Sequence, residues 1–225
     1  MRSNPCARLS RHGCGGPNQA SEASVVRAST ASLPSLFAIG AAFFLPFVKG
    51  CDSMVSPIGM VAEGHGGSLL IAWIVPRFAV AALLAVLTLV ALWRGREPGR
   101  GAAILAGVGV LSLVPASILD GYDLVRKASR LDLFGVGFAA IVFGLGALGL
   151  WWAVGACRRD GWARWERFIA AYAALAAPFV WFVVEAFAKS WREVGLGGYA
   201  YATSITILLT LRMLSIRSSR PADSR

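Results

Sequence analysis

Three charged side chains lie within or directly beside long apolar segments, where an ionised group is costly and usually has a function or a partner. They are Arg77, Glu185 and Asp120. At the helical rise of about 1.5 Å per residue, Arg77 and Glu185 stand roughly 25 Å from the same membrane boundary, and Asp120 lies close to that level. Because opposite charges at one depth favour an ion pair, we predict a contact between Arg77 and Glu185, with Asp120 as a further member.

Two other interpretations of this polar cluster stay open. Arg77 and Glu185 could extend independently to headgroups and water. They could also form an ion site for transport, continued by hydroxyl groups on one face of the last apolar segment. In membrane helices such hydroxyls also bond to their own backbone or to a neighbouring helix. The four residues of this hydroxyl stripe are Tyr199, Thr203, Thr206 and Thr210.

Chemistry typical of enzymes has little support in the sequence. His65 lies among glycines near Asp52 and Glu63, but glycine flanks fix no geometry and no second helical ligand is present. The chain contains no HExxH, phosphate-binding loop or nucleophile elbow. We therefore expect no catalytic residues, no metal and no cofactor, and we retain an outer-face enzyme at His65 and Asp52 only as a third function.

The composition indicates which elements must position these residues. Of the 225 residues 56% are hydrophobic and 15% are charged, and the mean hydropathy is +0.63. Soluble proteins have about 25% charged residues, so this composition predicts a multi-pass membrane protein. The net charge of +10 comes from short clusters without a long basic face. This distribution argues against nucleic-acid binding and favours contact of the cytoplasmic loops with anionic headgroups.

Six apolar segments are long enough to cross a hydrocarbon core about 30 Å thick. Because backbone polar groups in lipid must be satisfied within each segment, we predict an all-α fold, a bundle of six transmembrane helices. The predicted spans are Ala31–Val48, Leu69–Trp93, Ala102–Leu119, Leu133–Ala156, Phe168–Ala188 and Leu196–Leu214.

The orientation of these spans follows from the basic residues, which are retained on the cytoplasmic side. With both termini in the cytoplasm, the inner loops carry clusters such as Arg94, Arg96 and Arg100. The opposite side holds only Lys49, Arg126, Lys127, Arg130, Lys189 and Arg192. This asymmetry predicts that both termini face the cytoplasm, most simply in a bacterial inner membrane.

The sequence divides into three regions. Residues 1–30 are rich in serine, alanine, glycine and arginine without apolar periodicity, which predicts a disordered basic cytoplasmic tail. A transit peptide or translated upstream DNA would have a similar composition. Residues 31–214 form the predicted transmembrane domain, and residues 215–225 form a second basic cytoplasmic tail.

One face of the fourth span contains only small residues, Gly137, Ala140, Gly144 and Ala147. Small residues at this spacing allow helices to approach closely. We interpret the stripe as a helix-packing face, whose partner is either within the chain, in a second copy or in another membrane protein.

The end of the first span has the sequence FFLPFVKGC at residues 43–51. It resembles the corresponding part of uncharacterised bacterial multi-pass inner-membrane proteins. The resemblance covers under a tenth of the chain and implies a membrane protein without implying an activity. Together these features predict a structural, accessory or assembly component that is not an enzyme, with a small transporter or channel as the alternative.

Overall fold

The computed structural model describes residues 17–49, 54–62, 67–128, 133–180, 183–184, 187 and 190–218. The fold is all-α, as predicted, apart from one pair of two-residue strands. The α-helices are α1 (Pro17–Ala42), α2 (Pro57–Ala62), α3 (Gly67–Trp93), α4 (Arg100–Leu111), α5 (Leu113–Ala128), α6 (Leu133–Ala156), α7 (Gly161–Ala176) and α8 (Leu196–Ser218).

Two short 3-10 turns and a small hairpin complete the described elements. The turns are Ala177–Phe179 and Trp191–Glu193. The antiparallel strands β1 (Val48–Lys49) and β2 (Met54–Val55) pair with Val48 opposite Val55. This hairpin begins after a turn at residues 43–47 that follows α1. Pro46 disfavours continuation of the helix, because it lacks an N–H and its ring would clash with the Ala42 carbonyl.

The first helix differs from the predicted span Ala31–Val48 at both of its ends, because it begins at Pro17 and ends at Ala42. It begins at Pro17, so residues 17–30 of the predicted disordered tail are helical, while residues 1–16 lie outside the described part. Ser29, Ser32 and Ser35 are all buried on this helix. Small serines let α1 approach its neighbours closely, and a packing face made of serine shows no apolar periodicity in the sequence.

The third predicted span is divided into α4 and α5 at Ser112. Pro115 lacks the backbone N–H that would bond to Leu111, which weakens the helix at this point. The Ser112 hydroxyl donates to the carbonyl of Gly109 at 2.6 Å. Even with this break, Arg100–Tyr122 remains a continuous apolar stretch of 23 residues.

Two helical stretches of the described chain are long and apolar enough to cross a membrane, Ala72–Trp93 and Arg100–Tyr122. Ser29–Ala42 and Ala140–Ala156 are apolar helices of shorter length. By length and composition, the structure therefore supports membrane insertion at two helices and does not by itself establish six spans.

The helix α7 lies at the centre of the bundle and contacts α1, α3, α4, α5, α6 and α8. Its residues from Phe168 to Ala176 are all buried. The α1 helix packs against both α3 and α8, and α6 packs between α5 and α7. The polar side chains described below therefore project from helices that surround, or belong to, a densely packed core.

At the predicted outer end, α8 begins against the turn that follows α1. The backbone N–H groups of Gly195 and Gly197 donate to the carbonyls of Phe47 and Pro46 at 2.9 and 2.7 Å. A Cβ atom on Gly198 would lie 2.7 Å from the Phe47 carbonyl oxygen. Glycine is therefore needed here, because a side chain would separate two backbones that bond directly.

Candidate functional site: a buried ion pair

Arg77 of α3 forms an ion pair with Asp120 of α5. The Nη2 atom of Arg77 lies 2.5 Å from Oδ2 of Asp120. The side chains are only 0% and 2% exposed, so neither charge is solvated by water. Each charge therefore depends on the other for compensation.

Trp73 bonds to both members of this pair. Its indole Nε1 donates to the second carboxylate oxygen of Asp120 at 2.6 Å. Arg77 also donates through Nη1 to the carbonyl of Trp73, one helical turn earlier in α3. Sequence analysis did not identify Trp73 as a partner, although its spacing of four residues from Arg77 places both on one helix face.

Aromatic rings enclose the guanidinium of Arg77. Its Cζ atom lies 4.7 Å from the ring centroid of Phe179 and 5.5 Å from that of Trp73. The ring of Phe179 is in turn 5.6 Å from Phe47 and 5.4 Å from Tyr201, centroid to centroid. Rings that face a cation in this way contribute a favourable interaction and exclude water.

Hydroxyl groups donate to backbone carbonyls around this cluster. Tyr172 donates to the carbonyl of Arg77 at 2.9 Å. Ser117 and Tyr201 donate to the carbonyls of Leu175 and Ala176 at 2.7 and 2.9 Å. The last carbonyls of a helix have no partner within it. Ser117 and Tyr201 thus satisfy the end of α7, where the chain turns at Pro178.

The predicted contact of Arg77 with Glu185 falls outside the described residues, because Glu185 is not among them. The structure instead places Asp120, the expected further member, directly against Arg77. Within the described part of the chain, Nε of Arg77 has no hydrogen-bond partner.

The hydroxyl stripe of the last span lies away from this cluster. Tyr199, Thr203, Thr206 and Thr210 are all exposed on α8. Thr206 donates to the carbonyl of Ala202 and Thr210 to that of Thr206, each at 2.8 Å. Both hydroxyls therefore bond to their own helix, as in the backbone-bonded alternative considered for the sequence.

The small-residue face of α6 is also exposed. Gly137, Ala140, Gly144 and Ala147 are all accessible in the single chain. A Cβ atom at Gly137 or Gly144 would meet no other atom within 4 Å. Over the described residues, no other helix of the chain packs closely on this face.

A second ion pair lies at the predicted cytoplasmic end, between Glu166 of α7 and Arg212 of α8. Nearby, the Trp165 indole donates to the Thr88 hydroxyl at 2.7 Å, which joins α7 to α3. Partial burial, and secondly repulsion from Arg159, lower the pKa of the neighbouring Arg167. At this end α7 is therefore joined to α8 by an ion pair and to α3 by a hydrogen bond between side chains.

The structure does not test the third function, an outer-face enzyme at His65 and Asp52. Asp52, Glu63 and His65 lie outside the described residues. Among the residues that the structure does describe, no group of three histidine, cysteine, aspartate or glutamate side chains could hold a metal ion.

Comparison with known proteins adds no functional assignment, because no family model, no curated protein and no solved structure matches the chain significantly. The described part of the chain is an all-α protein whose largely apolar core encloses the ion pair of Arg77 and Asp120, with two helices long and apolar enough to cross a membrane. Any function must be argued from these features alone.

Proposed function

We propose that this chain is a multi-pass integral membrane protein with a structural or assembly role and no catalytic activity. In this proposal the six apolar segments all cross a bacterial inner membrane, with both termini in the cytoplasm. The two long apolar helices and the high apolar content support insertion. The observation that carries the structural role is the enclosed ion pair of Arg77 and Asp120.

The surroundings of Arg77 and Asp120 favour a structural role for the ion pair over a role in transport. A transport site needs a charged group that faces a polar path, and Arg77 is fully buried against aromatic rings. Asp120 accepts from both Arg77 and Trp73. Thr206, which a transport path would include, is exposed on α8 and bonded to its own helix. A small transporter or channel is thus the less supported function.

The exposed face of α6 is the element that we propose for assembly. Glycine and alanine at every contact position would let a second helix approach closely, which is how many membrane helices associate. The partner would be a second copy of this chain or another membrane protein. Lipid covers the face equally well when no partner is present, so association must be measured.

Self-association in native-like bilayers tests this role directly. Gly144→Leu places a large side chain on the face and should weaken association about tenfold, which corresponds to roughly 1.4 kcal/mol. The measurement is the oligomer fraction by single-molecule photobleaching over a range of protein densities, with pull-down from solubilised membranes for a different partner.

Gly101→Leu is the matched control for this experiment. Gly101 is an exposed glycine of α4 and also has no atom within 4 Å of a Cβ position. Its substitution should leave association unchanged. If Gly144→Leu behaves like the wild type both in self-association and in partner recovery, assembly through α6 is wrong.

A further inference from the structure

An open groove runs along α4, where α4 passes α6 and α7 near the predicted cytoplasmic end. Its volume is about 610 Å³, within the range of about 300 to 1,000 Å³ that is usual for ligand sites. The body of the groove is apolar and is lined by Ala103, Ile104, Gly107, Val108, Leu111 and Phe168.

Charged residues lie only at the cytoplasmic mouth of this groove. Arg100 is exposed at the first residue of α4 and has no ion pair with any residue in the described part of the chain. Arg164 donates to Asp160 at 2.6 Å. The Glu97 carboxylate lies beside Gly161 at the same mouth, and the exposed Arg158 and Arg159 directly precede Asp160. The four arginines outnumber the two carboxylates, so the mouth keeps a net positive charge.

The length of the apolar part matches one leaflet of a bilayer. From Arg100 to Leu111 the helix rises about 16 Å, and half of the hydrocarbon core is about 15 Å thick. A molecule with a charged head at Arg100 and an apolar chain along α4 would therefore end near the bilayer midplane.

We propose that this groove binds an anionic phospholipid of the cytoplasmic leaflet, with one acyl chain along α4 and the phosphate at Arg100 and Arg164. The inference rests on the proposed membrane insertion. Basic pockets between helices on the cytoplasmic side recognise anionic headgroups in this way. The headgroup compensates Arg100, which forms no ion pair with a carboxylate in the described part of the chain.

A second groove on the same protein provides an uncharged comparison. It lies along α3 and reaches Ser112, at the break between α4 and α5. Its volume is about 320 Å³, and it is lined by Ala72, Val75, Pro76, Ala79, Val80, Leu83 and Ser112. Since none of these side chains is charged, this groove has no means of selecting one headgroup over another.

The test uses the full chain with Cys157 as its sole cysteine, after Cys6, Cys14 and Cys51 are changed to serine. Cys157 is exposed and lines the groove, so its alkylation rate reports occupancy. The protein is reconstituted in phosphatidylcholine with increasing phosphatidylglycerol of the same acyl chains. Phosphatidylglycerol should slow alkylation, and Arg100→Gln should weaken this protection about fivefold, the effect of one arginine beside an anionic surface.

Two pairs of variants separate a specific site from general attraction. Arg94→Gln removes an exposed arginine from the preceding loop and should keep the protection, unlike Arg100→Gln. Val108→Trp fills the groove and should abolish lipid-dependent protection, whereas Ala79→Trp in the uncharged groove should not.

Equal protection by both lipids, or equal loss in Arg94→Gln and Arg100→Gln, would overturn the proposed lipid site. Membrane insertion is checked separately by extraction of native membranes with alkaline carbonate. A chain released by carbonate contradicts the proposed membrane function, whereas a chain that is retained but shows no lipid selectivity contradicts the lipid site alone.

Discussion

Arg77 shows how strongly a buried charge depends on its neighbours. Its two terminal nitrogens donate to Asp120 and to the Trp73 carbonyl, and two rings face its Cζ atom, while Nε has no hydrogen-bond partner in the described part of the chain. Such a pair adds little stability compared with well-packed apolar residues, but removal of one partner leaves an uncompensated charge.

Substitution of one partner should therefore be worse than substitution of both. We expect Arg77→Met or Asp120→Leu alone to destabilise the protein by about 3 to 5 kcal/mol, which lowers the melting temperature on the order of 10 °C. The double variant should be more stable than either single variant. Thermal unfolding of the purified protein in detergent measures all three.

The exposed pair Arg164 and Asp160 provides the control. Asp160 is 99% exposed, so Asp160→Asn should change the melting temperature little. Additive losses in the Arg77 and Asp120 variants would show that the two side chains do not act as a pair.

At the scale of elements, the start of α8 depends on close backbone contact with the turn after α1. The glycines Gly195, Gly197 and Gly198 leave room for two hydrogen bonds to Pro46 and Phe47. This contact closes the outer end of the bundle and holds the ring of Phe47 against Phe179 and Tyr201.

An added methyl group should disturb this contact. We expect Gly198→Ala to destabilise the protein by about 1 to 3 kcal/mol, since the Phe47 carbonyl would have to move away. Gly101→Ala is the comparison, because its surroundings are open and alanine favours helix. Equal melting temperatures for the two variants would be inconsistent with a tight contact. Differential scanning fluorimetry is sufficient for the measurement.

At the scale of the whole molecule, the segments that meet at each end of the helix bundle are those that the distribution of basic residues assigns to the same side of the membrane. Glu166 and Arg212, from two predicted cytoplasmic regions, meet at one end, and the hairpin and the start of α8 meet at the other. Helices that cross a membrane in alternating directions must place their connecting segments alternately at its two sides. The arrangement of the helices is therefore compatible with the predicted topology.

Sidedness is tested with single-cysteine variants in intact spheroplasts. A membrane-impermeant maleimide should label Cys51 from outside and reach Cys157 only after permeabilisation. A fluorescent tag on the C-terminus should fluoresce in the cytoplasm. A C-terminal tag that is exposed outside would contradict the topology, whatever the labelling of Cys51.

The sequence by itself predicted an all-α fold, the approximate positions of the long apolar helices, and a common level for Arg77 and Asp120. Hydrophobic length defined α6 with the same bounds as the structure, Leu133–Ala156. The helical rise placed Arg77 and Asp120 near one level. The helical start at Pro17 was missed because residues 17–30 show no apolar periodicity. The break at Ser112 was missed because a single proline does not always end a helix.

Only the tertiary structure decided which residues meet. A segment that is apolar on all sides does not reveal its rotation about its axis, so the sequence could not show that Asp120 lies directly against Arg77. Nor could it show that Trp73 and Phe179 enclose the pair, or that the small-residue face of α6 points outward. These features depend on lateral packing, which joins residues far apart in the chain.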